Sequence, residues 1–192
     1  PCLGTVSRIV RKNNHTKVIV VVDNIIPHEK RVGDKLLSKF FVKSVDGFVC
    51  MSKQVFNDLE ILDSKANKIN SYHPIYDNFG KSITKQQSIT NLKLNGDYKH
   101  ILFFGIIRKY KGLDLLIKAF SKLKHEKIRL IIAGEFYDNQ DYYLDLIQSL
   151  ELDDNIILKN EFIPDDMVVN YFCSCDIVAQ PYKSATQSGV TQ

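Results

Sequence analysis

The chain has 192 residues, of which 44% are hydrophobic and 25% are charged, and its formal net charge is +4. These values are typical of a globular protein with one large or two small domains. No apolar run approaches the roughly 20 residues that cross a bilayer, which excludes a transmembrane helix. Because the sequence opens with Pro1 rather than methionine and shows no charged-then-apolar leader, we expect a piece of a longer protein.

The charge is unevenly distributed along the chain. Residues 1–100 carry 16 basic and 9 acidic side chains, whereas residues 101–192 carry 10 and 13. The basic half could face an anionic membrane or a lipid-linked phosphate, although a chance excess on a solvated surface explains it too. Nucleic acid is not expected as a partner, because basic and aromatic residues are not interleaved along any one segment.

Metal and disulfide sites are not predicted. The four cysteines have spacings that match no zinc or disulfide framework, and the five histidines do not cluster in the sequence. No metal cofactor is therefore expected. Free thiols are typical of a reducing compartment, so we expect a cytoplasmic protein.

The first 76 residues alternate between helix and strand patterns. Helices are predicted at 3–12, at 35–43, and from Ser52, as the N-cap, to about residue 62. Strands are predicted at 17–22, 47–51 and 69–72. The continuous β-branched run of the first strand predicts burial on both faces. In the second helix, the side chains expected to face inward are Leu36, Leu37, Phe40 and Phe41.

Residues 77–97 are polar and rich in turn-forming residues, which predicts a linker or hinge. From residue 98 the alternation resumes. Strands are predicted at 100–104, 128–133, 155–159 and 176–179, and helices at 112–124, 139–150 and 165–173. The pattern predicts an α/β fold with two Rossmann-like doubly wound parallel sheets, one in residues 1–76 and one in residues 98–192. We expect both domains to be incomplete.

A glycine-bracketed basic turn follows the first strand of the second domain. Gly105 ends the strand, Arg108, Lys109 and Lys111 supply three cations, and Gly112 opens the next helix. Backbone N–H groups and a helix N-terminus attract an anion and the cations neutralise it, so the turn suits a dianionic ligand. An ordinary strand–helix turn with solvated lysines is the alternative.

Further candidates lie beyond the carboxyl ends of other strands, where doubly wound sheets bind their ligands. Ser188 and Gly189 precede a predicted helix and make either a second anion cradle or a plain helix cap. Glu135 follows another strand end and could orient a hydroxyl group or face water. His28 lies in a strand-end loop of the first domain, as a site candidate or a solvated histidine.

Residues 103–120 read FFGIIRKYKGLDLLIKAF. This run resembles the glycine, arginine and lysine-glycine motif of glycosyltransferase family 4, whose members are retaining sugar transferases of the GT-B fold. Residues 130–134 and 162–182 resemble the strand that follows and the approach to the donor site. Upstream, similarity to the acceptor domain and to the crossover between domains covers residues 22–29, 46–52 and 73–76.

The resemblance implies that the chain helps to transfer a sugar, of the hexosyl type, from a nucleoside-diphosphate sugar to a polysaccharide or a lipid-linked glycan. The residues implied to hold the donor diphosphate are Gly105, Arg108, Lys111, Ser188 and Gly189. The family does this without a metal. His28 becomes an acceptor-side candidate, Glu135 a donor-sugar candidate, and the catalytic residues stay unassigned. The enzyme is expected in the cytoplasm, with peripheral contact at the inner face of the membrane.

Two departures from the family pattern bear on these assignments. Ile106 stands where the family arginine often directly follows the glycine, so the phosphate role passes to Arg108. Residues 185–187 stand where a glutamate usually helps to hold the donor sugar or nucleotide, which makes Thr186 and Gln187 the candidates there. A non-catalytic nucleotide-binding or scaffolding domain of the same fold is therefore the alternative, and the fragment alone is expected to be inactive.

Overall fold

The computed structural model describes residues 2–13, 15–27 and 32–184. They form two compact units, one reaching to Ile75 and the other running from Tyr76 to Ser184. Each unit is an α/β layer structure with one parallel sheet. None of the helices in the described ranges has the length and apolar content that crossing a bilayer requires.

Unit 1 contains a three-stranded parallel sheet. Its strands are β1 (Ile19–Val22), β2 (Gly47–Cys50) and β3 (Lys68–Asn70), in the order β1-β2-β3. Its helices are α1 (Cys2–Arg11), α2 (Asp34–Val42) and α3 (Lys53–Leu62). The Ser52 hydroxyl accepts a hydrogen bond from the Val55 N–H at 3.2 Å, which confirms Ser52 as the N-cap of α3. Every predicted element of this unit is present within a few residues of its expected bounds.

Burial in unit 1 differs from the prediction at two elements. Strand β1 was predicted to be buried on both faces, but Ile19 and Val21 are 60% and 64% exposed while Val22 is buried. The strand lies at the edge of the described sheet, and its side chains alternate between a packed and an open face. In α2, Leu36 and Leu37 are exposed rather than inward, because the helix turns Phe41 and Val42 toward the core.

Unit 2 contains a four-stranded parallel sheet. Its strands are β4 (Lys99–Phe104), β5 (Ile128–Ala133), β6 (Ile156–Lys159) and β7 (Ile177–Val178), in the order β6-β5-β4-β7. Leu102 pairs with Ile131 on one side and with Val178 on the other. Its helices are α4 (Lys85–Asn91), α5 (Leu113–Phe120), α6 (Gln140–Ser149) and α7 (Asp165–Ser174). Helix α5, predicted to reach residue 124, is continued by a 3₁₀ turn at Ser121–Leu123.

The central strands of unit 2 are buried on both faces. Phe103 packs with α5 and α6 residues such as Ile117 and Ile147. Its neighbour Leu102 packs on the opposite face against Val168 of α7. Successive side chains of a strand point to opposite faces, so a near-continuous apolar run such as β4 is what two helical layers require. This core fixes the carboxyl ends of β4 and β5, where the candidate site lies.

The segment predicted as a linker, residues 77–97, differs from that expectation. It contains α4, which begins with a capping box between Thr84 and Gln87. The helix packs on α7, and the Asn91 side-chain amide donates to Asn170 Oδ1 at 2.8 Å. The stretch makes both polar and apolar contacts with α7, and it belongs to unit 2 despite its turn-rich composition. A hinge role for it stays a prediction.

Candidate functional site

The basic turn after β4 begins at a glycine with a left-handed backbone. Gly105 has φ of +94°, and its N–H donates to the Ala133 carbonyl at 2.9 Å, which extends the pairing of β4 with β5 by one residue. The Lys111 ammonium nitrogen lies 3.3 Å from the position that a Cβ on Gly105 would occupy. Gly105 and Lys111, predicted from their spacing to act together, are therefore adjacent.

A second glycine supports this turn from the end of β5. Gly134 has φ of +142°, and a Cβ placed on it would overlap the carbonyl group of Gly105. The two glycine backbones are in direct contact, so Gly134 sets the path of the basic turn. Sequence reasoning placed Gly134 at a strand end but gave it no role. The available signal was a glycine directly after a buried strand, beside another such strand.

The loops after β4 and β5 remain paired beyond the strands. The Ile107 N–H donates to the Glu135 carbonyl at 2.8 Å, and the Tyr137 N–H donates to the Ile107 carbonyl at 3.0 Å. Glu135 therefore contributes its backbone to the turn, and its half-buried side chain has no partner within the described ranges. Both bonds are made by Ile107, so they fix the backbone immediately before Arg108.

None of the three turn cations has an acidic partner in the described ranges, and two of them lie beside aromatic rings. Arg108 lies 5.3 Å from the centroid of the Tyr137 ring, and the Lys111 ammonium lies 5.8 Å from that of Tyr182. No carboxylate in residues 2–13, 15–27 or 32–184 forms an ion pair with either cation. Burial, and then the charge of Arg108, lower the pKa of Lys111 below its ordinary value. A bound anion would offset the mutual repulsion of these cations.

The helix that follows the turn opens toward it. Gly112 is the N-cap of α5, with φ of +71° and no side chain to cap the first N–H groups. A Cβ on Gly112 would overlap the carbonyl oxygen of Pro181, so only glycine fits at this close approach. Lys109–Lys111 forms a 3₁₀ turn immediately before this N-cap. An uncapped helix N-terminus next to two cations is a favourable environment for a phosphate group.

Five predicted site residues lie outside the described residues. They are His28, Thr186, Gln187, Ser188 and Gly189. Within the described ranges, no group of three or more histidine, cysteine or acidic residues is placed to hold a metal ion. The structure thus brings together the Gly105, Arg108 and Lys111 part of the predicted site, and the remaining assignments stay predictions.

Solved structures with the same architecture are glycosyltransferases. Sucrose-phosphate synthase from Thermosynechococcus elongatus aligns with a TM-score of 0.80 and 16% identity, over 97% of this chain and 50% of that one. Anabaena HepE, solved in complex with UDP and glucose, aligns with a TM-score of 0.77 and 17% identity, over 92% of this chain and 49% of that one. The chain spans about half the length of these structures. At such identities the likeness shows the fold, which is of the GT-B type.

The sequence comparisons are more specific. An uncharacterized glycosyltransferase of Methanocaldococcus jannaschii is 32% identical over 92 residues, which are 47% of this chain and 23% of that protein. The sequence model of the family described as glycosyl transferases group 1 matches residues 84–188, which is more than half of the chain. This match includes β4, the basic turn and α5. The chain therefore belongs to the group 1 glycosyl transferases.

Proposed function

We propose that this chain binds the donor of a retaining glycosyltransferase, which moves a hexosyl group from a nucleoside-diphosphate sugar to a polysaccharide or a lipid-linked glycan. The observation that carries the proposal is the pair formed by Arg108 and Lys111. Both cations lie in a rigid turn at the carboxyl edge of a parallel sheet and lack acidic partners in the described ranges. That edge is where doubly wound sheets bind nucleotides.

The charges suit the leaving group of the reaction. When the bond between the sugar and the diphosphate breaks, negative charge grows on the diphosphate oxygens. Preorganised cations and helix N–H groups stabilise such charge most effectively in a site from which water is excluded. The half-buried Lys111 ammonium and the uncapped start of α5 offer a cation and helix N–H groups for this purpose, and we propose that they act without a metal ion. We propose Ser188 and Gly189 as further diphosphate contacts, on the sequence resemblance alone.

The similar structures support the choice of donor class. HepE has been solved with UDP and with UDP-glucose, and it shares the fold of this chain. We therefore use UDP as the probe of the site, while the base and sugar of the natural donor stay open. Glu135, Thr186 and Gln187 are the proposed contacts to the donor sugar or nucleotide, and His28 is the proposed contact on the acceptor side.

The proposed contact with an anionic acceptor or membrane rests on charge. The excess of basic side chains in residues 1–100 favours an anionic partner, such as a lipid-linked phosphate or the surface of an anionic membrane. We propose a cytoplasmic enzyme that docks peripherally on such a surface. Sedimentation with vesicles containing anionic phospholipid, compared with neutral vesicles, tests this docking.

Diphosphate recognition is tested by titrating the 192-residue chain with UDP, UMP and uridine in a calorimeter. We expect UDP to bind more tightly than UMP, and UMP more tightly than uridine, because each phosphate adds charge opposite Arg108 and Lys111. Equal affinity for UDP and uridine, or no binding of either UDP or GDP, would contradict the proposal.

The second candidate, a non-catalytic nucleotide-binding or scaffolding domain, is favoured by the residues at positions 185–187, which replace the usual glutamate. Sugar release from UDP-sugars and GDP-sugars separates the two functions. It requires a protein that contains this chain together with the parts that its relatives have in addition. Binding without turnover in that protein would favour the scaffold.

A further inference from the structure

Lys183 attaches the segment that follows β7 to the start of α5. The Lys183 N–H donates to the Tyr110 carbonyl at 2.7 Å. The Lys183 ammonium lies 2.8 Å and 2.9 Å from the two carboxylate oxygens of Asp114, in the first turn of α5. These contacts join two parts of unit 2 that are about 70 residues apart in the sequence, and we call residues 181–183 the latch.

The latch also contacts the basic turn directly. The Pro181 carbonyl lies against Gly112, where a Cβ would overlap it. The ring of Tyr182 meets that of Tyr110 edge to face, with centroids 6.4 Å apart, and lies 5.8 Å from the Lys111 ammonium. The latch thus lies beside Lys111, whose pKa is lowered by burial below its ordinary value.

Asp114 creates an electrostatic problem for an anion site. Its carboxylate lies in the first turn of α5, close to where a diphosphate would approach the helix, and like charges repel. The Lys183 ammonium contacts both carboxylate oxygens of Asp114, so the two charges compensate each other. This distinguishes Lys183 from Arg108 and Lys111, which have no acidic partner in the described ranges.

We propose that Lys183 and Asp114 are positioning residues for diphosphate recognition: their ion pair holds the latch against Gly112 and thereby fixes the ammonium of Lys111. The inference rests on the proposed function and extends it to two residues that would not touch the ligand. Lys183 acts through Tyr182, and Asp114 acts through Lys183. Loss of either partner releases the latch, and the Lys111 ammonium then becomes mobile and more hydrated.

Asp114→Asn is the decisive variant, because the two possible roles of the pair predict opposite signs. On charge alone, removing an acid from an anion site strengthens anion binding, and a freed Lys183 would add a third cation. A positioning role predicts the reverse. We expect UDP affinity to fall roughly three- to ten-fold in Asp114→Asn and in Lys183→Met. An unchanged or increased affinity in Asp114→Asn would overturn the proposal.

A double variant and a conservative variant test whether Asp114 and Lys183 act together. Both single variants break the same contact, so Asp114→Asn combined with Lys183→Met is expected to bind UDP no more weakly than the weaker single variant. Lys183→Arg keeps the two-point contact with a carboxylate and is expected to stay within about two-fold of the parent. Independent, multiplying losses in the double variant would show that the residues act separately and would overturn the positioning role.

A matched control and a spectroscopic readout exclude a general loss of structure. Lys124→Met removes another ion pair of unit 2, that with Glu151 at 2.9 Å, and is expected to leave UDP affinity unchanged. An NMR titration of the Lys111 side chain is expected to show its pKa rising toward the ordinary value in Lys183→Met, because the amine gains water. If Lys111 titrates identically in parent and variant, the latch does not act on it.

The outcome also separates this inference from the proposed function. If Lys111→Ala weakens UDP binding but the Asp114 and Lys183 variants bind normally, the latch inference fails and the proposed function stands. If Arg108→Ala and Lys111→Ala both bind UDP as tightly as the parent, the proposed function itself fails.

Discussion

Cations of the basic turn and cations held in ion pairs meet different surroundings. In unit 1, Arg11 lies 3.2 Å from Asp46, and Lys68 lies 2.7 Å from Glu60. In unit 2, Arg108 and Lys111 are placed next to one another, and no described carboxylate compensates them. The basic excess lies in the first hundred residues, yet the uncompensated pair lies in the acidic second half. Net charge along the sequence therefore does not show where uncompensated cations lie, whereas the local balance of charges does.

The largest effect is expected from the backbone contact that shapes the uncompensated site. Gly134→Ala forces a side chain into the Gly105 carbonyl and imposes a strained φ, so we expect the free energy of unfolding to fall by about 3 kcal/mol or more. The matched control is Gly80→Ala, where φ is +86° but no atom lies within 4 Å of the new Cβ. Strain alone should cost about 1 kcal/mol there. Urea denaturation measures both variants. Equal losses of unfolding free energy in Gly134→Ala and Gly80→Ala would contradict the role of the Gly134–Gly105 contact in shaping the turn.

A paired cation should affect stability and leave ligand binding unchanged. Lys68 is buried beside the Phe56 ring, pairs with Glu60, and donates to the carbonyls of Ser64 and Ala66. We expect Lys68→Met to lower the free energy of unfolding by about 1–3 kcal/mol, because these interactions are lost. Its UDP affinity should equal that of the parent. A loss of UDP affinity in this variant would contradict the expectation that only the uncompensated cations bind the ligand.

A buried histidine in unit 2 is expected to make the stability of the protein depend on pH. His100 is fully buried, and neither ring nitrogen has a hydrogen-bond partner within the described ranges. Burial, and then the charge of Lys85, lower the pKa of His100 below its ordinary 6.5. Below pH 6.5 the unfolded chain therefore binds a proton that the folded chain does not. As far as His100 is concerned, the free energy of unfolding is highest above pH 6.5 and falls as the pH falls below it.

The decline should have a slope of up to about 1.4 kcal/mol per pH unit. His100→Leu removes the titrating group, so its free energy of unfolding should vary less between pH 7 and 5.5 than that of the parent. Urea denaturation at several pH values measures the difference. Parallel curves for parent and variant would show that His100 is accessible to protons in the folded state.

Local sequence patterns predicted the elements whose signals are local. The apolar runs of β4 and β5, each closed by a glycine, and the Ser52 cap all appear where the sequence places them. Gly105 and Lys111 are adjacent in the basic turn, which seven neighbouring residues contain, and their role toward an anion stays a prediction.

Features that depend on distant partners could not be predicted in this way. The polar composition of α4 indicated a linker, since its fit to α7 depends on contacts such as that between Asn91 and Asn170. Leu36 was predicted inward, although periodicity does not show which side of a helix meets the core. The approach of Pro181 to Gly112 spans 69 residues, and no short window of sequence contains it.

The role of Arg108 and Lys111 is tested by calorimetry of UDP binding to Arg108→Ala and Lys111→Ala, with Lys68→Met as the paired-cation control. We expect each of the first two variants to lose about 1–3 kcal/mol of binding free energy, as for a lost charged hydrogen bond. Lys68→Met should match the parent. Undiminished affinity in both Arg108→Ala and Lys111→Ala would contradict the assignment of the turn to the donor diphosphate.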